Sequence, residues 1–388
     1  MKVKIISIIA VLLGLSFFSA IPIMGSQYFS YVLLLLVCAY LLSRINRIKK
    51  DYCIFLLLFF FALELAVNIH FHGDTEWNIN CLKCIICILF IYSCYITSNH
   101  KAIVHFILTC NVWNIISFVD VLYRRFFTIY DMRVLLSGYD NGLGAYLLPL
   151  ICLNGYLITK REHKKAALYF SIIAILQLII VWSATAISGA IILIICYYIA
   201  NKDNSKGLFG ISNTQLLIVD YVAFFVIVIY RRYENVISRF IIEGIFHKTM
   251  DFSTRTYVWD RGILYFLASP IIGNGRTVEY QRTLFYGVSS AHNYFLDILT
   301  QVGLIGAIIM TIVFIACAVR ADHCRDNKPV RLLALSFFGL ILALQFESYC
   351  AYGGYAMLYV IITMALLESN ASTKQHNTVP VTNPNVQV

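Results

Sequence analysis

A histidine that precedes a long apolar run is the residue of this sequence best suited to chemistry. Ser290 is expected to be the N-cap of a helix that enters a membrane, which places His292 in the first helical turn. The positive end of a helix disfavours the imidazolium form, so His292 would stay neutral and available as a base, and the same end attracts phosphate. Gly303 follows eleven residues later. That is about three helical turns, so Gly303 should lie on the same face with Gly306 close by.

Taken alone, this spacing has a second interpretation, an interfacial histidine with ordinary glycine packing against a neighbouring helix. The flanking sequence adds more. His292-Asn293, nine residues and then Gly303-Leu-Ile-Gly306 resembles the His-Asn-x9-Gly-x-x-Gly pattern of the O-antigen ligase and O-antigen/capsule polymerase family. Upstream, Arg255-Thr-Tyr-Val-Trp259 resembles that family's Arg-x3-Trp motif. The Pro-x-x-Gly-x-Gly block is matched by Pro270, Gly273 and Gly275.

The resemblance covers about residues 255–306, and the rest of the chain matches in topology only. One departure concerns the short turn between two middle spans, where many relatives carry a Ser-Arg pair. Here that turn reads Trp182-Ser-Ala-Thr-Ala-Ile-Ser-Gly189, without arginine. A phosphate-binding role at this turn is therefore not expected.

The resemblance implies a donor oligosaccharide on undecaprenyl diphosphate. Its leaving group develops negative charge, which guanidinium groups clamp well without a metal. His292 would deprotonate or orient the acceptor hydroxyl, and Arg255 is the first choice for the diphosphate. Direct attack at the anomeric carbon would invert its configuration. No metal and no cofactor are expected. Weaker choices for substrate contacts are Arg276, Arg282, Arg133, Asn293 and Trp259, with Arg124 and Arg125 as further outer arginines.

Composition determines the class of protein that must position these residues. Of 388 residues, 60% are hydrophobic and 13% are charged, against about 45–50% and about 25% in soluble domains. This excludes a soluble enzyme, a disordered protein and a nucleic-acid-binding module, despite the net charge of +10. An integral membrane protein remains.

The apolar runs predict an all-α, polytopic protein of about twelve transmembrane helices, because irregular backbone cannot face lipid. Lysines and arginines predict both termini to be cytoplasmic: 18 of 30 fall in cytoplasmic segments, Lys83 lies within a span, and 11 lie in two outer loops, 120–141 and 231–301. The predicted spans are roughly 5–24, 28–42, 52–69, 81–97, 102–119, 142–158, 167–182, 185–200, 215–230, 302–319, 331–347 and 350–367.

The outer loop 231–301, before the tenth span, is much longer than usual connections. It contains an amphipathic stretch at 236–246, suited to the membrane interface, and a helical stretch near 254–268 that stops at Pro270. Residues 1–368 are predicted to form one transmembrane domain that includes this loop. Residues 369–388 are polar, and they are predicted to form a disordered cytoplasmic tail.

Charged and cysteine residues inside the spans are assigned structural roles. Glu64 and Lys83 lie in adjacent antiparallel spans and are expected to pair. Asp220 is expected near the inner end of its span, far from the site. The Cys81-x2-Cys84-x2-Cys87 spacing predicts packing cysteines rather than a metal site, because a helix does not bring them together in a polar setting.

The sequence is therefore interpreted as a glycosyltransferase of the bacterial cytoplasmic (inner) membrane. It would polymerise undecaprenyl-diphosphate-linked repeat units of capsule, O-antigen or exopolysaccharide on the outer face. A flippase and a chain-length regulator are expected partners, and nucleic acid is not. The closest alternative is an O-antigen-ligase-type transfer to another acceptor. Alternatives of other classes are a polysaccharide transporter or flippase, and a structural partner of an assembly complex. Internal repeats, helix-breaking Gly/Pro pairs at mid-membrane and charges deep in several spans would favour a transporter. No repeat is visible, and the main candidate residues cluster in the outer loops instead.

Overall fold

The computed structural model describes residues 5–17, 26–48, 50–73, 75–127, 134–135, 138–202, 210–230, 244, 255–277, 290–347 and 354–378. The predictions for Arg133, Arg282 and nearly all of the amphipathic stretch 236–246 lie outside these residues.

The protein is an all-α, multi-pass membrane protein. Its helices are α1 (Ile5–Leu15), α2 (Gln27–Leu42), α3 (Tyr52–His70), α4 (Thr75–Ile96), α5 (His100–Phe127), α6 (Asp140–Thr159), α7 (Lys164–Val181), α8 (Ala184–Asn201), α9 (Asn213–Phe224), α10 (Arg255–Ala268), α11 (Tyr294–His323), α12 (Lys328–Ala343) and α13 (Tyr355–Thr378). A 3-10 turn, Ile45–Arg47, follows α2, and a π-helix, Phe225–Tyr230, continues α9. A short antiparallel pair, β1 (Val134–Leu135) and β2 (Gly138–Tyr139), precedes α6.

Each of the twelve predicted spans overlaps a helix within the described residues. Within the described ranges, nine helices are long and apolar enough to cross a membrane. The helices α1 and α2 are apolar but shorter, and α12 has only 16 residues. Side-chain caps mark several starts, including Asp51 before α3, Asn327 before α12 and a capping box at Ser212 before α9.

The helices at the centre of the bundle differ from those at its edge. Most of α6 and α13 is buried, whereas less than a third of α7 and of α9 is buried and their remaining, mainly apolar residues are partly or fully exposed, as expected for helices that face lipid. Near the middle, α12 packs against α8, α9 and α13. The helix that follows the motif histidine, α11, packs against α3, α9, α10 and α13. The site is therefore built on the buried part of the bundle.

The prediction that Glu64 pairs with Lys83 is wrong. Cys81 and Lys83 are two residues apart on α4 and point to different faces, and Cys81 is the one beside Glu64. The charges that act on Glu64 come instead from Arg276 and Asp297. Lys83 is buried and has Glu76 as its nearest charged neighbour.

The structure also bears on the start of the predicted tail and on the three spaced cysteines. The last helix continues to Thr378, ten residues into the tail predicted to be disordered. Cys81, Cys84 and Cys87 are buried in the main hydrophobic core, as the packing interpretation predicted.

Candidate functional site

A backbone crossing between two loop segments positions the motif histidine. The helix α11 is broken at Gly303, where φ is 62° and ψ is −161°. The break leaves main-chain groups without the hydrogen bonds that a continuous helix would provide. The 270–275 segment supplies these hydrogen bonds instead. Leu304 N donates to Pro270 O at 2.8 Å, and Ile305 N donates to Ile271 O at 3.1 Å. In the opposite direction, Asn274 N donates to Thr300 O and Gly275 N donates to Gln301 O.

Glycine is required at this crossing for two reasons. Gly273 and Gly303 both have positive φ, which side chains rarely adopt. A methyl group on Gly273 would collide with Gln301 O, and one on Gly303 would collide with Ile271 O. Pro270 ends α10 and provides one of the acceptors. The Pro-x-x-Gly-x-Gly and Gly-x-x-Gly motifs are thus two halves of one interlock.

This interlock corrects the expectation for Gly303 and His292. A continuous helix would have placed them on one face, three turns apart, but the break at Gly303 interrupts that helix. The helix also begins later than expected: its N-cap is Asn293, not Ser290, so His292 precedes the helix with φ of 49°. A methyl group on Gly306 would collide with Val302 Cγ2 of the same helix, and it would lie 3.4 Å from the Phe60 ring of α3.

Asn293 connects α11 to the segment after α12. Its Oδ1 accepts a bond from Leu296 N, and its Nδ2 donates to the main-chain oxygen and to the Oε1 of Gln345 at 3.0 and 3.1 Å. Tyr294 N donates to Leu344 O at 3.0 Å. The Asn293 side chain is fully buried, where it caps the helix and holds the 344–347 segment, and its contact with substrate stays a prediction.

Gln345 also approaches α9. Its Nε2 lies 3.5 Å from the main-chain oxygen of Asp220. Asp220 therefore lies beside the site's supporting layer, and the expectation that it is far away is wrong. The reason is that the 344–347 segment folds back toward the bundle after α12 ends at Ala343.

The carboxylate of Glu347 joins the two leading candidates. His292 Nδ1 lies 2.7 Å from Glu347 Oε1, and Arg255 Nη2 donates to Glu347 Oε2 at 2.9 Å. The Glu347 side chain is 2% exposed, whereas His292 and Arg255 are each 18% exposed. Both side chains can thus reach a substrate while a buried carboxylate anchors them.

This bonding fixes the ionisation of Glu347 and the orientation of His292. Burial alone raises the pKa of Glu347, but the charges and hydrogen bonds of His292 and Arg255 outweigh burial and hold that pKa below its ordinary value. An ionised acceptor at Nδ1 favours the tautomer with its proton on Nδ1. The Nε2 lone pair then remains for an acceptor hydroxyl.

Sequence reasoning missed Glu347, because it fell at the end of a predicted span, 331–347. A carboxylate at the end of an apolar run with no basic residue nearby in sequence is an indication of function. The two partners of Glu347 could not be identified from the sequence, because Arg255 is 92 residues away and His292 is 55 residues away.

Trp259 lies under the histidine turn. It is fully buried with Val258, Val228, Ala291 and Leu296 in a small core of its own. Its packing supports the backbone next to His292, and its contact with substrate stays a prediction.

Arg276 lies in a second polar cluster. Its main-chain N donates to Asn68 Oδ1, and its guanidinium lies 4.4 Å from the centre of the Trp77 ring. The side chain is 2% exposed, and its Nε and Nη1 have no hydrogen-bond partner. Glu64 is the nearest carboxylate, but the two form no ion pair. Within the described part of the chain, no three His, Cys, Asp or Glu side chains are grouped as a metal site would require.

Comparison with known proteins agrees with this geometry. Residues 134–311 match the family model described as O-antigen ligase. The protein carries an O-antigen ligase-type domain. This confirms the resemblance to the O-antigen ligase and polymerase family, whose members are membrane glycosyltransferases that act on lipid-linked polysaccharide. A search of curated proteins gives no match.

The O-antigen ligase-type domain contains most of the site but not all of it. It begins in β1 and ends inside α11, so it includes Arg255, His292 and both halves of the interlock. Glu347 lies outside this domain, between α12 and α13, and it completes the site.

Proposed function

We propose that this protein is a glycosyltransferase that polymerises undecaprenyl-diphosphate-linked oligosaccharide repeat units on the outer face of a bacterial cytoplasmic membrane. The observation that carries the proposal is the bridge from Glu347 to His292 and Arg255. The domain match supports a lipid-linked glycan as the substrate. The excess of basic residues in the predicted cytoplasmic segments supports an outer location for the site.

In the proposed reaction, His292 Nε2 removes the proton from a sugar hydroxyl of the incoming unit. The hydroxyl oxygen forms a bond to the anomeric carbon of the donor chain as the bond from that carbon to the diphosphate oxygen breaks. The electron pair of that bond leaves with undecaprenyl diphosphate. The proton stays on His292 until water accepts it. Because one displacement occurs, the anomeric configuration inverts.

The other residues stabilise charge as it develops. Glu347 stabilises the imidazolium that forms, in the way that the buried aspartate does in Ser-His-Asp triads. Arg255 uses one nitrogen for Glu347 and has other N–H groups for the leaving diphosphate. Guanidinium groups supply the charge that a divalent metal supplies elsewhere, so we propose a metal-independent reaction.

Ligase-type transfer to a different acceptor is the second candidate, and the match of residues 134–311 to an O-antigen ligase family favours it. The chemistry at His292, Glu347 and Arg255 is the same in both reactions. Only the molecule that supplies the hydroxyl differs.

The test uses purified protein with an undecaprenyl-diphosphate repeat unit and a chelator of divalent metals. A ladder of longer lipid-linked glycans supports the polymerase, and transfer that occurs only to an added second acceptor supports the ligase. His292→Ala and Arg255→Lys should abolish either product. Matched controls are His323→Ala, at the other end of α11, and Arg261→Ala, which lies on α10 but bonds to Tyr257. Full activity of His292→Ala, or no product from wild type with either acceptor, contradicts the proposal.

A further inference from the structure

Six described residues other than glycine have a left-handed backbone conformation. His292 differs from the other five in where it lies relative to a helix. Four of those residues follow the C-terminus of a helix, where this conformation is an ordinary ending. They are His72, Ser98, Arg161 and Trp182. His163 is the N-cap of α7 in the tight turn after α6. His292 instead directly precedes the N-cap of α11, with φ of 49°, after a loop.

A left-handed backbone conformation strains a residue other than glycine, and it persists only where the surroundings of that residue hold it. The strongest tie at this turn comes from Asp297, which is 1% exposed in the first turn of α11. Its Oδ1 accepts a bond from Ala291 N at 2.8 Å. The other tie of the turn, from His292 N to Ser290 Oγ, is longer at 3.3 Å.

We infer that Asp297 is a positioning residue for His292. It acts through the main chain of Ala291, the residue just before the histidine. Removal of its acceptor oxygen lets the turn relax toward negative φ, which takes the imidazole away from Glu347 Oε1, now 2.7 Å from Nδ1. The reaction that this positioning serves rests on the proposed function, but the geometry of the turn does not.

A simpler role for Asp297 is a favourable charge at the positive end of a helix. The two roles respond differently to substitution. Asp297→Asn removes the charge but keeps an Oδ1 that can accept from Ala291 N. Asp297→Glu keeps the charge but moves the acceptor by one methylene. Asp297→Ala removes both.

The test measures the position of His292 without relying on activity. Full-length protein in lipid nanodiscs is treated with diethyl pyrocarbonate, and acylation of His292 is followed by peptide mass spectrometry relative to His323. We expect the His292 rate to rise several-fold in Asp297→Ala, to rise less in Asp297→Glu, and to stay at the wild-type value in Asp297→Asn. A wild-type rate in Asp297→Ala overturns the inference. If that variant does not fold, a larger change in Asp297→Asn than in Asp297→Glu overturns it instead.

The glycan assay provides the second measurement. In Asp297→Ala, kcat should fall about tenfold or more, as for loss of an oriented base, while KM stays within about threefold. Asp297→Asn should restore kcat. If wild type forms no glycan product, the proposed function fails, and the labelling result still decides the role of Asp297.

Discussion

The protein has two arginine–carboxylate sites near the same end of its bundle, and they are built in opposite ways. In one, Glu347 is buried and its two oxygens are bonded to the partly exposed Arg255 and His292. In the other, Arg276 itself is buried over Trp77, its Nε and Nη1 have no partner, and Glu64 Oε2 has none either. The carboxylate is the anchored group in the first site, and the arginine is the enclosed group in the second.

This difference shows what decides whether an outer arginine can act on a substrate. Charge and loop position were similar for Arg255 and Arg276, so sequence ranked them only by motif. Because the buried Glu347 carboxylate bonds to one nitrogen of Arg255, the exposed edge of that guanidinium stays open to a ligand. An enclosed guanidinium is packed between loop and helix, and we expect it to make no contact with substrate.

The largest expected effect separates the two carboxylates. Glu347→Gln should lower kcat by about 10² to 10³-fold, because the imidazolium formed in the reaction loses its counter-charge. Glu64→Gln should change kcat by no more than about threefold. Initial rates of glycan extension measure both. Equal losses in the two variants would remove the distinction between the sites.

The interlock that joins the two sites is expected to come next. Gly303→Ala should destabilise the protein by about 3 kcal/mol, because of its positive φ and the collision with Ile271 O. Thermal unfolding in detergent measures this change. Gly155→Ala is the control, since a methyl group there makes an ordinary 3.4 Å contact with Leu332. A similar loss of stability in both variants would show that the crossing at Gly303 has no special need for glycine.

A direct exchange of arginines sharpens the comparison further. Arg276→Met should change stability by less than about 1 kcal/mol and leave kcat within about threefold, because a buried charge without hydrogen bonds is replaced by apolar packing. Arg255→Met should abolish activity. If Arg276→Met instead raises KM for the lipid-linked donor tenfold, Arg276 belongs to the substrate site.

The smallest effect concerns pH. The lowered pKa of Glu347 means that its contribution to stability is fully present above its unfolded value, about 4.3, and is lost as pH falls through the lower folded value. The stability difference between wild type and Glu347→Gln should therefore be constant from pH 8 to pH 5 and shrink below about pH 4. Chemical denaturation at each pH measures it. A difference that already falls between pH 7 and pH 5 would show that Glu347 is not held ionised.

Sequence predicted the regular part of this molecule well, because apolar run length determines where membrane helices lie. It predicted α10 from 254–268 and its stop at Pro270, since proline limits a helix locally. It failed where distant backbone determines local structure. The break at Gly303 depends on acceptors in the 270–275 segment. Ser290 is a residue type that often caps helices, but Asn293, whose side chain also bonds to Gln345, is the N-cap.

The candidate site shows the same limit. His292 and Arg255 were found because their motifs are local, but nothing local indicated that Glu347 connects them. Asn293 and Trp259 are predicted to contact substrate, and the sequence does not show that both side chains are buried among neighbouring residues.

The crossing at Gly303 also has a consequence for biosynthesis. Leu304 and Ile305 would enter the bilayer with unsatisfied amides, which a membrane segment cannot tolerate cheaply. The carbonyl groups that satisfy them belong to Pro270 and Ile271, which leave the ribosome more than thirty residues earlier. The order of synthesis thus delivers the complementary segment before the broken helix needs it. A circular permutant that opens the chain between these two segments would reverse that order and should insert poorly, even though it encodes the same final contacts.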